Sequence, residues 1–450
     1  MASRSTDSAD SNAGSDKEGT GTREDGRGYQ SAAEKKRKDR LVESGRSSIG
    51  RWIATRFQDS VIKTVGSLVA FSRLAPTVDP HRDSDSGVVS DWERSFDDDN
   101  IAICDIAAGS EGGYILAGGI GDSPEFWIAK TDQSGSVEWS SRMHHGEGVC
   151  VVRSIQPVEE GHVFAGTSST TDTDDIVLTR TGPRGTVQWE RTFGGDAFEF
   201  CQKVVQSNDG GYVIGGSTQS YATAGQDMWL LKTTVNGRVE WERTYDRSYT
   251  DMLNDIVRTK DGGYALVGTT IDDDTACWIA MTDSDGTVDW EESISRNGGV
   301  VGRSIIQKDD GGIVIAGVSN NSGAQQKEGW LASLDAEGEI EWQRTYGDPN
   351  DMLAVDIIQT SDDGFVSAGT VRSSKQKNII LVKTGSEGNR KWAKKVAGRS
   401  SIPPSLLNPS PGTYVVGGSW ESGRAKRKTA GWLAQYSLST TGPTVGRIQD

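Results

Sequence analysis

"NGRVEWERTY", residues 236–245, decides the fold, because the chain writes it repeatedly. "RGTVQWERTF" stands at 184–193, "EGEIEWQRTY" at 337–346 and "SGSVEWSSRM" at 134–143, with looser copies "DGTVDWEESI" at 285–294 and "EGNRKWAKKV" at 387–396. Its tryptophan recurs as Trp92, Trp139, Trp189, Trp241, Trp290, Trp342 and Trp392, at intervals of 47–52 residues. Two other landmarks keep step with it. One is a turn and apolar run such as "DGGYVIGG" (209–216), and the other a short apolar strand such as "MWLLKT" (228–233). A further strand, "NDIVRT" (254–259) or "VDIIQT" (355–360), lies between the tryptophan phrase and the next Gly-Gly turn. Four strands in about 50 residues, joined by Asp-Gly and Asn-Gly turns, predict an antiparallel four-stranded meander.

Such a meander cannot cover both of its apolar faces alone. Copies arranged in a ring cover one another, which is the β-propeller solution. The strand at 88–96, "VVSDWERSF", has no three strands before it, and the last three, within 402–436, have no tryptophan strand after them. Pairing the first with the last predicts an all-β, seven-bladed propeller closed by its own N-terminal strand, with no free sheet edge at the seam. A glycine four residues before the tryptophan in six copies supplies a hairpin turn, and the indole is expected to pack on the neighbouring sheet.

The phrase "DGGYVIGG…MWLLKTTVNGRVEWERTY" resembles the repeat of a large, mostly uncharacterised family of archaeal and bacterial propeller proteins, many of them at the cell surface. Its G-x-x-x-W spacing is similar to the tryptophan-docking motif of quinoprotein propellers. The resemblance spans roughly 88–445 and implies a fold, since the shared residues are those that join blades. The vicinal cysteines expected of quinoprotein dehydrogenases are absent, which argues against a quinone cofactor.

The chain has 450 residues, 56 of them glycine and 14 tryptophan, with a net charge of −16. That charge is uneven. Residues 80–371 carry 20 basic and 50 acidic side chains, whereas 372–428 carry 13 basic and 2 acidic. The acidic part suits a salt-rich setting, with an ordinary acidic protein as the alternative. Four cysteines without C-x-x-C spacing read as buried thiols.

Three regions follow: a polar, disordered tail over 1–48, an amphipathic helix and linker over 49–79, and the propeller over 80–446. The helix places Ile49, Trp52, Ile53, Phe57, Val61, Val65, Leu68 and Val69 on one face, behind the basic "KKRK" at 35–38. It reads as docked on the propeller, as an anchor to an anionic membrane surface through 35–71, or as a partner-binding helix. No apolar run is long enough for a spanning helix and no leader pattern stands out, so the cytoplasm or membrane periphery is expected, with the cell surface implied by the resemblance.

Catalytic motifs are absent, and an enzyme acting at the channel mouth as a hydrolase, lyase or quinoprotein is the alternative to a non-catalytic scaffold. "MHHGEGVC" (143–150) has metal-ligand residue types without metal-ligand spacing, so no metal site is assigned. The acidic runs at 97–100, 171–175, 272–274 and 348–351 lack the D-x-D-x-D-G pattern. They read as hydration charge, with calcium the one ion left open, and no cofactor is expected.

Two groups of residues remain. Arg153, Gln202, Asn254 and Arg303 hold matching places on the innermost strands, and either line a polar pocket at the channel mouth or fill the hub with hydrogen bonds. Arg372, Lys375, Lys377, Arg390, Lys391, Lys394, Lys395, Arg424, Lys426, Arg427 and Lys428 make blades six and seven basic, the expected face for an acidic protein or other anionic partner. Pairing of that face with acidic neighbouring blades is the competing reading. Sequence-specific nucleic-acid binding is not indicated, because aromatic interleaving is thin. The chain is read as a monomer.

Overall fold

The computed structural model describes residues 87–438 apart from 97–99, 122, 146–147, 171–172, 224, 322–325, 347–351, 373–376, 397–403 and 423–427. The tail and helix expected over 1–79 lie outside the described residues. Among the described residues there are 28 strands and no helix, grouped in seven four-stranded antiparallel sheets.

The innermost strands are β2 (Ile101–Ala108), β6 (Val149–Val158), β10 (Glu199–Gln206), β14 (Thr250–Arg258), β18 (Val300–Gln307), β22 (Met352–Gln359) and β26 (Ser405–Ser410). Each touches the next, and β26 touches β2, so the ring is closed. The seam is the one the sequence predicts: β1 (Val88–Phe96) pairs antiparallel with β28 (Lys428–Leu438), from Val88 opposite Leu438 to Phe96 opposite Gly431. Blade seven is therefore built from both ends of the propeller.

The middle strands have no polar face. In β12 (Asp227–Thr233), the third strand of blade three, every residue is buried. The outer strand β13 (Val239–Tyr245) is mostly exposed, and here the opening phrase becomes legible residue by residue. Trp241 of blade three lies against blade four, its ring 6.4 Å from Tyr264, and a Cβ on Gly286 would stand 2.9 Å from the indole. Gly286 thus serves twice, taking φ +75° in its turn and leaving room for the ring. The Arg243 guanidinium lies over the Trp241 ring at 5.6 Å, and the Tyr245 hydroxyl donates to the Gly286 carbonyl at 2.7 Å. Glu240 and Asp209 both pair with the buried ammonium of Lys232, which is why "DGG", "LLKT" and "VEW" travel together.

The same dock joins Trp92 to Gly135, Trp139 to Gly185, Trp189 to Gly237, Trp290 to Gly338 and Trp342 to Gly388. Trp392 meets Tyr414 of blade seven at 5.9 Å, and Trp92 of blade seven meets Tyr114 of blade one at 6.0 Å, so the dock passes round the seam. Trp241→Ala is expected to lower stability by ~3 kcal/mol and Gly286→Ala by ~2 kcal/mol, measured by urea denaturation. The double variant should lose less than the sum, because both changes break one contact; additive losses would mean the two residues do not act together.

Candidate functional site

The ring has two ends. One carries the links from each outer strand to the next inner strand, together with the loops between second and third strands; we call it the crossover end. The turns of the "DGG" and "NG" type lie at the other, the turn end.

At the axis, each inner strand of blades one to six has a β-bulge that takes one residue out of the pairing register: Cys104, Arg153, Gln202, Asn254, Arg303 and Val355. A bulge turns the strand and re-aims the following side chains. The second strand answers with a glycine. At Gly118 a Cβ would lie 1.6 Å from the Ala102 carbonyl oxygen, so the close approach tolerates no side chain.

The four channel residues singled out in the sequence are thus structurally equivalent. Asn254 is committed to the hub, donating from Nδ2 to Thr269 Oγ1 at 2.8 Å and to the Gly302 carbonyl of the next blade at 2.7 Å. Arg153 and Arg303 are half-buried, and desolvation pulls the pKa of each guanidinium below its ordinary value. Among the described residues Arg303 has no hydrogen-bond or ion-pair partner. The neighbouring thiols Cys104 and Cys201 are pushed up by burial to about 11 and about 12, so both stay protonated and unreactive near neutral pH.

The residues after the bulges were not singled out in the sequence, and they form the main polar network. Asp105 Oδ2 accepts from Ile155 N of the next blade at 3.0 Å, Asp255 Oδ2 from Ile305 N at 3.0 Å, and Asp356 Oδ2 from Leu406 N at 2.7 Å. Ser304 Oγ bridges Asp255 and Asp356, while Ser405 Oγ donates to Asp105 across the seam. Lys203 stands among the three carboxylates, with Nζ 3.7 Å from Asp105 Oδ2. Asp105, then Asp255 and Asp356, hold its ammonium charged against the cost of burial. A signal was present: the repeated Asp, Ser or Lys before Ile or Val in "CDI", "RSI", "QKV", "NDI" and "VDI" marks the position.

The basic residues divide. Arg390, Lys391, Lys394 and Lys395 run along β25 (Arg390–Val396), the outer strand of blade six, the first two toward the turn end and the last two toward the crossover end. Arg372 and Lys377 face each other across β23 (Phe365–Arg372) and β24 (Lys377–Thr384), and Lys428 opens β28; their side chains lie outside the described residues, as do Lys375, Arg424, Lys426 and Arg427 altogether. Lys391 stands where Glu138, Glu240 and Glu341 stand in other blades, one residue before the tryptophan. It shares Asp362 with the buried Lys383, at 2.8 Å and 2.6 Å respectively. Burial opposes ionisation of Asp362, and the hydrogen bonds from both lysines outweigh it, holding the carboxyl well below its usual range. Lys383 is pulled down by burial and, despite Asp362, also feels Lys391.

In "MHHGEGVC", His145 Nδ1 lies 2.7 Å from Glu190 Oε1 of blade two, and Cys150 Sγ donates to the His145 carbonyl at 3.3 Å. These groups are engaged with protein partners, and Glu147 lies outside the described residues. Of the acidic runs, Asp272–Asp274 are exposed, with Asp272 Oδ1 accepting from Tyr249 N at 3.2 Å.

No family model matches the sequence, and no curated protein matches it. Solved structures do. A protein of unknown function from Dyadobacter fermentans DSM 18053 is 13% identical, with 78% of this chain and 99% of that one covered and a TM-score of 0.45. The polysaccharide lyase Uly1 is 10% identical over 74% and 90%, with a TM-score of 0.49. BBS1N, solved in complex with ARL6DN, is 10% identical over 79% and 98%, with a TM-score of 0.46. At these values they carry no statement about chemistry, and the propeller assignment stands on the strand pairing above.

Burial pushes the Asp356 carboxyl up to about 7, with Lys203 working in the opposite direction. An unfolded aspartate titrates near ~3.9, so the folded state holds a proton there that the unfolded chain has lost, and stability from this group falls as pH rises from about 4 through 7. Asp356→Asn should therefore flatten the fall in Tm between pH 5 and pH 8, whatever its effect on Tm itself. An unchanged slope would show that the carboxyl does not titrate in this interval.

Proposed function

We propose that the propeller is a non-catalytic interaction scaffold that binds an acidic protein partner along the outer strand of blade six. The observation that carries this reading is Lys391. Three other blades place a glutamate at its position, and in two of them, blades one and three, that glutamate pairs with the lysine of the neighbouring strand. Blade six instead sets one cation beside another, Lys391 beside the buried Lys383. A repeat that abandons its own stabilising pair at one position fits selection for something other than stability. The exposed Lys391 and Lys395 then present charge from a strand edge, in a segment of net positive sign on an otherwise acidic chain. The pair of Lys391 with Asp362 is half-exposed on both sides and can be exchanged for a partner carboxylate at little cost.

Restoring the glutamate separates the two roles. Lys391→Glu should stabilise the fold by roughly 0.5 kcal/mol through a pair with Lys383, and combined with Lys394→Glu and Lys395→Glu should abolish retention on immobilised polyglutamate at low salt. Retention by the triple variant equal to wild type would refute the rim as the binding face.

A second reading, a small anion bound in the channel, is favoured by Arg303, whose desolvated charge lacks a protein partner among the described residues. Inorganic phosphate should then raise the Tm of the wild type and leave Arg303→Gln unmoved. Equal shifts in the two proteins, or none in the wild type, would remove this reading.

A further inference from the structure

At the crossover end, between blades three and four, one carboxylate oxygen from each of Asp227, Asp246 and Asp251 lies within 4.8 Å of the other two. They come from different elements: Asp227 opens β12, Asp246 follows β13, and Asp251 lies in β14. Two of them are buried, at 2% exposure for Asp227 and 0% for Asp251. Among the described residues Asp227 Oδ1 has no hydrogen-bond partner. A buried carboxylate oxygen left without a donor is costly, and among the described residues no lysine or arginine pairs with any of the three.

The surroundings hold the other oxygens in place. Asp251 Oδ2 accepts from Arg247 N at 2.6 Å and Ser248 N at 2.8 Å, and its Oδ1 accepts from Ser248 Oγ at 2.7 Å. Thr223 Oγ1 donates to Asp246 Oδ2. A parallel bridge between Gln226 and Thr250 ties the two blades beside the cluster, with Asp251 N donating to the Gln226 carbonyl at 2.7 Å. Gly225 makes that approach feasible, since a Cβ there would lie 1.9 Å from the Tyr249 carbonyl oxygen. Asp251 is therefore positioned by two backbone amides and a hydroxyl, Asp246 by a hydroxyl, and none of these neutral donors offsets the charge of the cluster.

We infer that Asp227, Asp246 and Asp251 form a calcium site that clamps blade three to blade four. The donor set is oxygen only, which selects a hard cation. Two oxygens bound to one Ca²⁺ at ~2.4 Å lie at most ~4.8 Å apart, and every pair in the cluster falls within that span. An irregular set from three elements suits the flexible coordination of Ca²⁺ better than the strict octahedron of Mg²⁺, and water completes the shell. This site is separate from the basic rim and from the acidic runs noted in the sequence.

The test is titration calorimetry with CaCl2 and, in parallel, Tm in EDTA, CaCl2 or MgCl2. The wild type should bind one Ca²⁺ and gain Tm in CaCl2 over EDTA, with a smaller response to MgCl2. Asp227→Asn should weaken Ca²⁺ binding at least tenfold, while its Tm in EDTA matches or exceeds that of the wild type, because an unpartnered charge has been removed. Asp246→Asn, at an exposed position, should also weaken binding tenfold or more, and decides the matter alone if Asp227→Asn does not fold. Absence of Ca²⁺ heat in the wild type, an equal response to MgCl2, or unchanged affinity in the variants would overturn the assignment.

Discussion

Each sheet of this protein has two apolar faces, and that constraint governs the rest. A strand such as β12, buried along its whole length, has no side fit for water, so a blade is stable only between two others. A row of blades would always leave two faces bare. Closing the row removes both, and the closure is made by β1, which lends blade seven its outer strand. The indole docks then fix the spacing of the sheets: six rings lie against a glycine turn of the next blade, and in four blades an arginine of the same strand lies over the ring.

The axis solves a different problem. Seven strands converge there and their backbone amides need partners. The aspartates of blades one, four and six reach across to the N–H of the following blade, while serines link some of them laterally. Three carboxylates in so small a space would repel, and Lys203 sits where it meets all of them. The hub is thus a structural network in which several titratable groups already have tasks. Beside it the thiols of the half-buried Cys104 and the buried Cys201 are both pushed up by desolvation.

Function is best sought where the repeat breaks its own rules. A lysine replaces glutamate at position 391, beside another lysine. Three aspartates crowd one junction, and among the described residues one of their oxygens has no donor. Both departures oppose stability locally. The proposed acidic partner and the proposed cation would each add opposite charge at these two places.

Blade number, the closing strand and the glycine-to-tryptophan docks were legible in the sequence, because each depends on local period and on one unit repeated at about 50 residues. Four equivalent channel positions were legible for the same reason, although the partner of Asn254 was not. Tertiary structure alone decided what meets at the axis: Asp105 and the amide it caps are 50 residues apart, and Lys203 faces carboxylates from three other blades. It also separated the two ends of the basic strand β25 and brought Asp227 beside Asp246 and Asp251. Period determines which way a side chain leaves its own sheet; which charges become neighbours depends on how the sheets are stacked and how the crossovers return, and those are properties of the closed ring.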